Sequence, residues 1–85
     1  MLFQVKLHVM LKSDVADVQG AAIQQSLVHH GEKISGVKVG KYFEFELEAE
    51  DEATAKATAE RLARDVFSNP VIENHWFEIE TATRA

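Results

Sequence analysis

Eighty-five residues make one domain, and a chain of that size buries only about 60% of the surface that its unfolded form exposes. It contains no cysteine, so neither disulfides nor thiolate zinc sites add stability, and association with another chain is the remaining staple. A net charge of −5 with a pI near 5.2 repels phosphate backbones and anionic membranes, which excludes nucleic acid as the first guess for a partner. No apolar run nears the roughly 20 residues of a membrane span, and the N-terminus lacks a signal-peptide h-region, so cytoplasm is the expected compartment.

The first element has a period of two. Phe3, Val5, Leu7, Val9 and Leu11 fall on one side, and Gln4, Lys6, His8, Met10 and Lys12 on the other, the pattern of a strand with one buried face. Ser13-Asp14 supplies a cap for a helix whose buried stripe is Ala16, Gly20, Ile23 and Leu27; an alternative start lies nearer Gln19. Gly20 on that stripe allows close approach to the sheet, and Gly31 after His29-His30 reads as the residue that ends the helix. Lys33 to Val39 is expected to form a second, weaker strand broken by Gly36, with Gly40-Lys41 as a tight hairpin into the next.

In the third strand Phe43, Phe45, Leu47 and Ala49 face one way, and Tyr42, Glu44, Glu46 and Glu48 the other. Asp51 opens a second helix with Ala55, Ala59, Leu62, Ala63 and Val66 as its buried stripe, a Glu60–Arg64 pair four residues apart, and Lys56 within reach of Glu52 and Glu60. Asn69-Pro70 stops it. Val71 to Glu80 is the last strand, with Phe77 and Ile79 on one face and Trp76 and Glu78 on the other, and Thr81 to Ala85 is expected to be a frayed tail.

The order β-α-β-β-α-β predicts a single α+β domain over residues 1–85. The expected fold is a ferredoxin-like sandwich, with a mainly antiparallel four-stranded sheet and both helices on one face. The open face then carries Lys6, His8, Met10, Tyr42, Glu44, Glu46, Asn74, Trp76 and Glu78. Met10, Tyr42 and Trp76 belong to the types enriched in interface cores, and Lys6 and His8 are placed to pair with glutamates across strands. RNA-binding domains of this topology stack bases on such aromatics but surround them with basic residues; here the surround is acidic.

Catalytic signatures are missing. The four glycines do not form a phosphate loop, no cysteine is present to act as nucleophile, and no serine stands in a visible Ser/His/Asp arrangement. His29-His30, adjacent on a helix, point about 100° apart and suit the helix dipole better than one metal ion. His75 has the opposite parity to His8 and is expected to be partly buried and hydrogen-bonded. Glu44 to Glu52 reads as a solvated strand face running into a helix N-terminus rather than a Mg²⁺ site. Val18-Gln19-Gly20 is similar to a segment of the acylphosphatases, but Gln24 stands where those enzymes place their phosphate-binding arginine.

Several segments together carry a fuller resemblance. They are Val5 to Leu11 followed by Lys12; Gln19-Gly20 at the start of the first helix; Val37-Lys38-Val39-Gly40-Lys41-Tyr42 with the alternation after it; and Asn69-Pro70-Val71-Ile72-Glu73-Asn74 leading into Phe77-Glu78-Ile79. Over nearly its whole length the chain resembles the PurS family, the small subunits of phosphoribosylformylglycinamidine (FGAM) synthase. It departs from that family at Val18, where many relatives have proline, and at Trp76, where a more polar or tyrosine-like residue is expected.

The resemblance implies a subunit of a ligase complex of purine biosynthesis that uses ATP, Mg²⁺ and glutamine to convert formylglycinamide ribonucleotide to formylglycinamidine ribonucleotide. A PurL-type subunit would bind ATP and the ribonucleotide, and a PurQ-type subunit would release ammonia from glutamine. The small chain would bridge them as a homodimer or homotetramer, with no catalytic, cofactor-binding or metal-binding residue of its own. Met10, Lys41, Tyr42 and Trp76 are the candidate interface residues, Lys41 as the exposed charge of the expected hairpin. The competing reading is a stand-alone small-molecule sensor of the ACT type, disfavoured by the absence of glycine from Leu11-Lys12-Ser13-Asp14.

Overall fold

Alternation in the first strand translates directly into burial. In the computed structural model, which describes residues 1–82, β1 (Leu2–Leu11) runs through the middle of the sheet, and Phe3, Val5, Leu7 and Val9 are each 1% exposed. β2 (Gly40–Glu48) and β3 (Glu73–Thr81) flank it, both antiparallel, in the order β2-β1-β3. The register pairs Leu7 with Phe43 and Phe77, and His8 with Tyr42 and Trp76.

α2 (Glu52–Leu62) covers the apolar face. Asp51 caps it by accepting the Thr54 N–H at 2.7 Å, and Ala55, Ala59 and Ala63 lie fully buried against the strands. Small side chains at these three positions let the helix approach the sheet closely, so the bulk of the core comes from β1 and from Phe43, Phe45, Phe67 and Phe77 around it. The helix ends in a π-helical turn, Ala63–Phe67, tied off by the Ser68 hydroxyl donating to the Ala63 carbonyl at 2.6 Å. The extra residue of that turn shifts the helical phase. Phe67, not Val66, therefore meets Phe43 and Phe45, at 4.8 and 5.2 Å between ring centres, and Val66 is 64% exposed. The expected burial of Val66 is thus corrected.

Among the described residues the sheet has three strands, not the expected four. Residues 33–39 do not pair with the edge of β2. Their backbone donors are taken by side chains of α1 (Val18–His29) and its cap: Val37 N–H donates to Gln24 Oε1 at 3.1 Å and Val39 N–H to Asp17 Oδ2 at 2.9 Å. Gly36, at φ +69°, breaks the extended run in the left-handed region. The expected Gly40-Lys41 hairpin is accordingly absent, and both residues begin β2. Neither does α1 cover the sheet. Among its residues Gly20 is the one buried, while Val18, Ile23 and Val28 are exposed. α1 and residues 33–39 form an arm instead, which explains a radius of gyration of 16.7 Å against about 12 Å for a compact chain of this length.

Capping corrects the start of α1 as well. Asp17, not Ser13-Asp14, is the cap, with Oδ1 accepting the Gly20 N–H at 2.8 Å; the alternative start near Gln19 was the closer one. At the other end Gly31, at φ +90°, closes the helix as expected, with its N–H on Val28 O and that of Glu32 on Leu27 O. Gly20 does permit a close approach, but to residue 37 and not to the sheet: a β-carbon there would lie 2.5 Å from the Val37 carbonyl oxygen. Thr81 and Ala82 are held by β1, Ala82 N–H donating to Leu2 O at 2.8 Å, so the tail is not frayed from Thr81; its remainder, 83–85, lies outside the described residues.

Candidate interface and its aromatic row

Strand register assembles the most distinctive surface feature. Tyr42, His8 and Trp76 stand side by side across β2, β1 and β3 on the helix-free face. His8 stacks on Trp76 with ring centres 5.1 Å apart and 7° between planes, and meets Tyr42 at 5.0 Å and 47°. Tyr42 and Trp76 nevertheless remain 51% and 49% exposed. On one side the row is bordered by Glu44, Lys6 and Glu78, and on the other by Gly40, Met10 and Asn74.

Polar contacts tie this face together as the parity anticipated. His8 Nε2 lies 3.3 Å from Glu78 and Lys6 Nζ 3.8 Å from Glu80. The Tyr42 hydroxyl donates to Glu44 at 2.8 Å. That bond, with the negative charge of Glu44 and Glu78 nearby, pushes the phenol up to about 12, because ionisation would set an oxyanion against a carboxylate.

Of the four candidate residues, the structure places Tyr42 and Trp76 in one row and Met10 beside it. Met10 is half-buried and lies over Gly40, where a β-carbon would run into its sulfur. Lys41 is elsewhere. It projects on the helix side of the sheet and pairs with Glu73 at 3.4 Å across the end of β1; the charge is exposed as expected, but it stands within β2, so its placement on a hairpin tip is corrected. Glu73 also accepts the Asn69 N–H at 2.7 Å, while Asn69 Oδ1 accepts from Val71 at 3.1 Å. The Gly40-Lys41-Tyr42 and Asn69-to-Glu73 segments thus meet in space; residues 69–72 form a closed turn, and the last strand begins at Glu73 rather than at Val71. His75 is partly buried and bonded to Glu60 at 2.9 Å, as expected. That contact takes Glu60 away from the expected pair with Arg64, which turns to Asp65.

His8 was legible only as one open-face residue among several; its position between two rings depends on register. Asp17 was missed altogether. Its carboxyl is held below the usual range by the Val39 and Gly20 N–H donors, and it clamps the arm to the start of β2. Beside it a cleft of about 400 Å³ opens between the start of α1 and the sheet, lined by Val9, Leu11, Ala16, Asp17, Lys41 and Glu73 among others. Among the described residues no three His, Asp or Glu side chains converge to hold a metal ion, and no helix is long and apolar enough to cross a membrane.

The family model for PurS, phosphoribosylformylglycinamidine (FGAM) synthase, matches residues 4–81. The chain belongs to the PurS family. A PurS subunit of phosphoribosylformylglycinamidine synthase from Synechocystis is 40% identical over 78 residues, covering 91% of this chain and 78% of that protein. The PurS subunit from Bacillus subtilis is 32% identical over 82 residues, covering 93% and 94%. Among solved structures, a chain of PurLQS from Thermotoga maritima superposes with a TM-score of 0.85 at 26% identity, covering 94% of this chain and 99% of that one. PurS from Thermus thermophilus gives 0.83 at 28% identity, covering 98% and 100%. These PurS relatives span essentially the whole domain, and they do not favour the ACT-type alternative.

Proposed function

We propose that this chain is the small, non-catalytic subunit that bridges the synthetase and glutaminase subunits of FGAM synthase. The likeness to PurS subunits along nearly its full length, including a chain of a PurLQS structure, carries this reading. The surfaces suit a bridge. A half-exposed aromatic row lies on the open face, and Val18, Ile23 and Val28 of α1 are exposed as well.

Chemistry in this scheme belongs to the partners: the complex consumes ATP with Mg²⁺ and glutamine, and this chain binds neither nucleotide nor metal by itself. Pairing of two or four copies is supported by the arm, since exposed Val18, Ile23 and Val28 lack cover within one chain and small domains gain stability by association. Cytoplasm is the compartment that fits such a role.

The test is reconstitution with the PurL-type and PurQ-type subunits of the same organism, in ADP, Mg²⁺ and glutamine, scored by glutamine-dependent amidation and by co-elution. The reading requires that both the complex and the activity depend on this chain. Full assembly and turnover without it would overturn the bridging role.

A further inference from the structure

We infer that the open sheet face, centred on the Tyr42–His8–Trp76 row, docks an arginine side chain presented by a protein partner. The inference rests on the reading above only in taking that partner to be one of the two larger synthase subunits.

Two independent properties of the face select this chemistry. The first is the exposed π surface. With His8 stacked on one side of Trp76, the indole is held rigid yet stays half exposed, and Tyr42 is presented equally on the other side of His8. Rings fixed in advance lose little freedom when a ligand is laid on them, and the faces of Trp and Tyr attract cations. The second property is charge. The even-numbered positions of the three strands put Glu44, Glu46, Glu48, Glu78 and Glu80 on this face against the single cation Lys6. Glu44 and Glu78 lie in the row next to the rings. Residues two apart on a strand are about 7 Å apart, so a cation stacked on Trp76 or Tyr42 has a carboxylate within reach.

Arginine fits this pairing better than lysine. Its guanidinium is planar and weakly hydrated, it stacks on aromatic faces, and it meets a carboxylate with two parallel hydrogen bonds. Charge also sets the other occupants aside. A second copy laid face to face would oppose glutamates to glutamates, and an RNA strand would bring phosphates to the same carboxylates. A small molecule would need a concave site, whereas these rings stand on the surface of a sheet.

The test measures binding of the full chain to the PurL-type and PurQ-type subunits at low and raised salt. It compares wild type, Trp76→Ala, Glu78→Gln and the charge reversal Glu44→Lys/Glu78→Lys, each first checked by circular dichroism for a native melting profile. Trp76 is the only tryptophan, so its emission reports directly on the face. The inference requires that one subunit perturbs this emission, that Trp76→Ala and the charge reversal each weaken that complex by about ten-fold or more, and that tri-arginine competes better than tri-lysine. Affinities within about two-fold of wild type for both variants would overturn it, as would equal competition by the two peptides. A change in the chain's own oligomeric state with partner affinity intact would also overturn it, assigning the face to contacts between copies. Glu78→Gln keeps the inference falsifiable if the charge reversal fails to fold. A wild-type chain that supports synthase activity while Trp76 stays silent sinks this inference alone; a wild-type chain that supports none sinks the bridging role.

Discussion

Replacing Gly20 with alanine separates the arm from the rest of the fold and reverses the sign that helix propensity alone would give. In an ordinary helix interior the change stabilises by about 1 kcal/mol. Here the added carbon would lie 2.5 Å from the Val37 carbonyl oxygen and 2.6 and 2.9 Å from the Asp17 carboxylate. Carbon and oxygen in close contact sit about 3.3 Å apart, so residue 37 must retreat by roughly 0.8 Å. The Val37 and Val39 hydrogen bonds, at 3.1 and 2.9 Å, would then exceed the distance at which such bonds hold. Two bonds at about 1 kcal/mol each outweigh the propensity gain and leave the arm about 1 kcal/mol less stable, roughly a five-fold rise in its open population. Hydrogen exchange read by mass spectrometry should show that rise in peptides covering 33–39, while the β1 amides keep wild-type protection. Exchange in 33–39 that is unchanged or slower would refute the argument, because propensity would then have outweighed the close approach.

Three further outcomes follow from the geometry. The chain's single tyrosine should ionise near pH 12 and not near 10, as followed by its ultraviolet difference spectrum. Because the folded value is raised, the Tyr42–Glu44 bond contributes stability that is full below pH 10 and is lost as pH rises towards 12; Glu44→Gln should return the midpoint towards 10. Asp17 has the opposite sign. Its folded value is depressed by the Val39 and Gly20 N–H donors, so its clamp on the arm is present above the ordinary carboxylate range and is lost as pH falls below it; Asp17→Ala should show acid-like exchange in 33–39 at neutral pH, and wild-type exchange there would contradict the clamp. Finally, Phe67→Ala should cost about 3 kcal/mol or more in urea unfolding, whereas Val66→Lys should stay within about 0.5 kcal/mol; the reverse ranking would mean that the helix continues without its π-helical turn.

Some of this architecture is carried by short-range pattern. Period-two alternation in β1, β2 and β3 follows from local side-chain chemistry, and one buried face then dictates parity. Phe3, Val5, Leu7 and Val9 could therefore be assigned to the core, and Tyr42 and Trp76 to the open face, from residue order alone. Asp51 and the alanines of α2 were legible for the same reason, as were the family segments around Gly40-Lys41-Tyr42 and Asn69 to Glu73. Competition between distant groups was not legible. Residues 33–39 have the composition of a weak strand, and only the folded chain shows their donors captured by Asp17 and Gln24, leaving the sheet with three strands among the described residues. A one-residue phase shift after Ala63 exchanged Val66 for Phe67, because helical periodicity assumes an unbroken turn. Strand order placed His8 between two rings and joined Lys41 to Glu73 across β1. Residue order thus determined which side each strand residue faces; only the tertiary structure decided which neighbours share that side, because cross-strand register depends on backbone pairing between segments far apart in the chain.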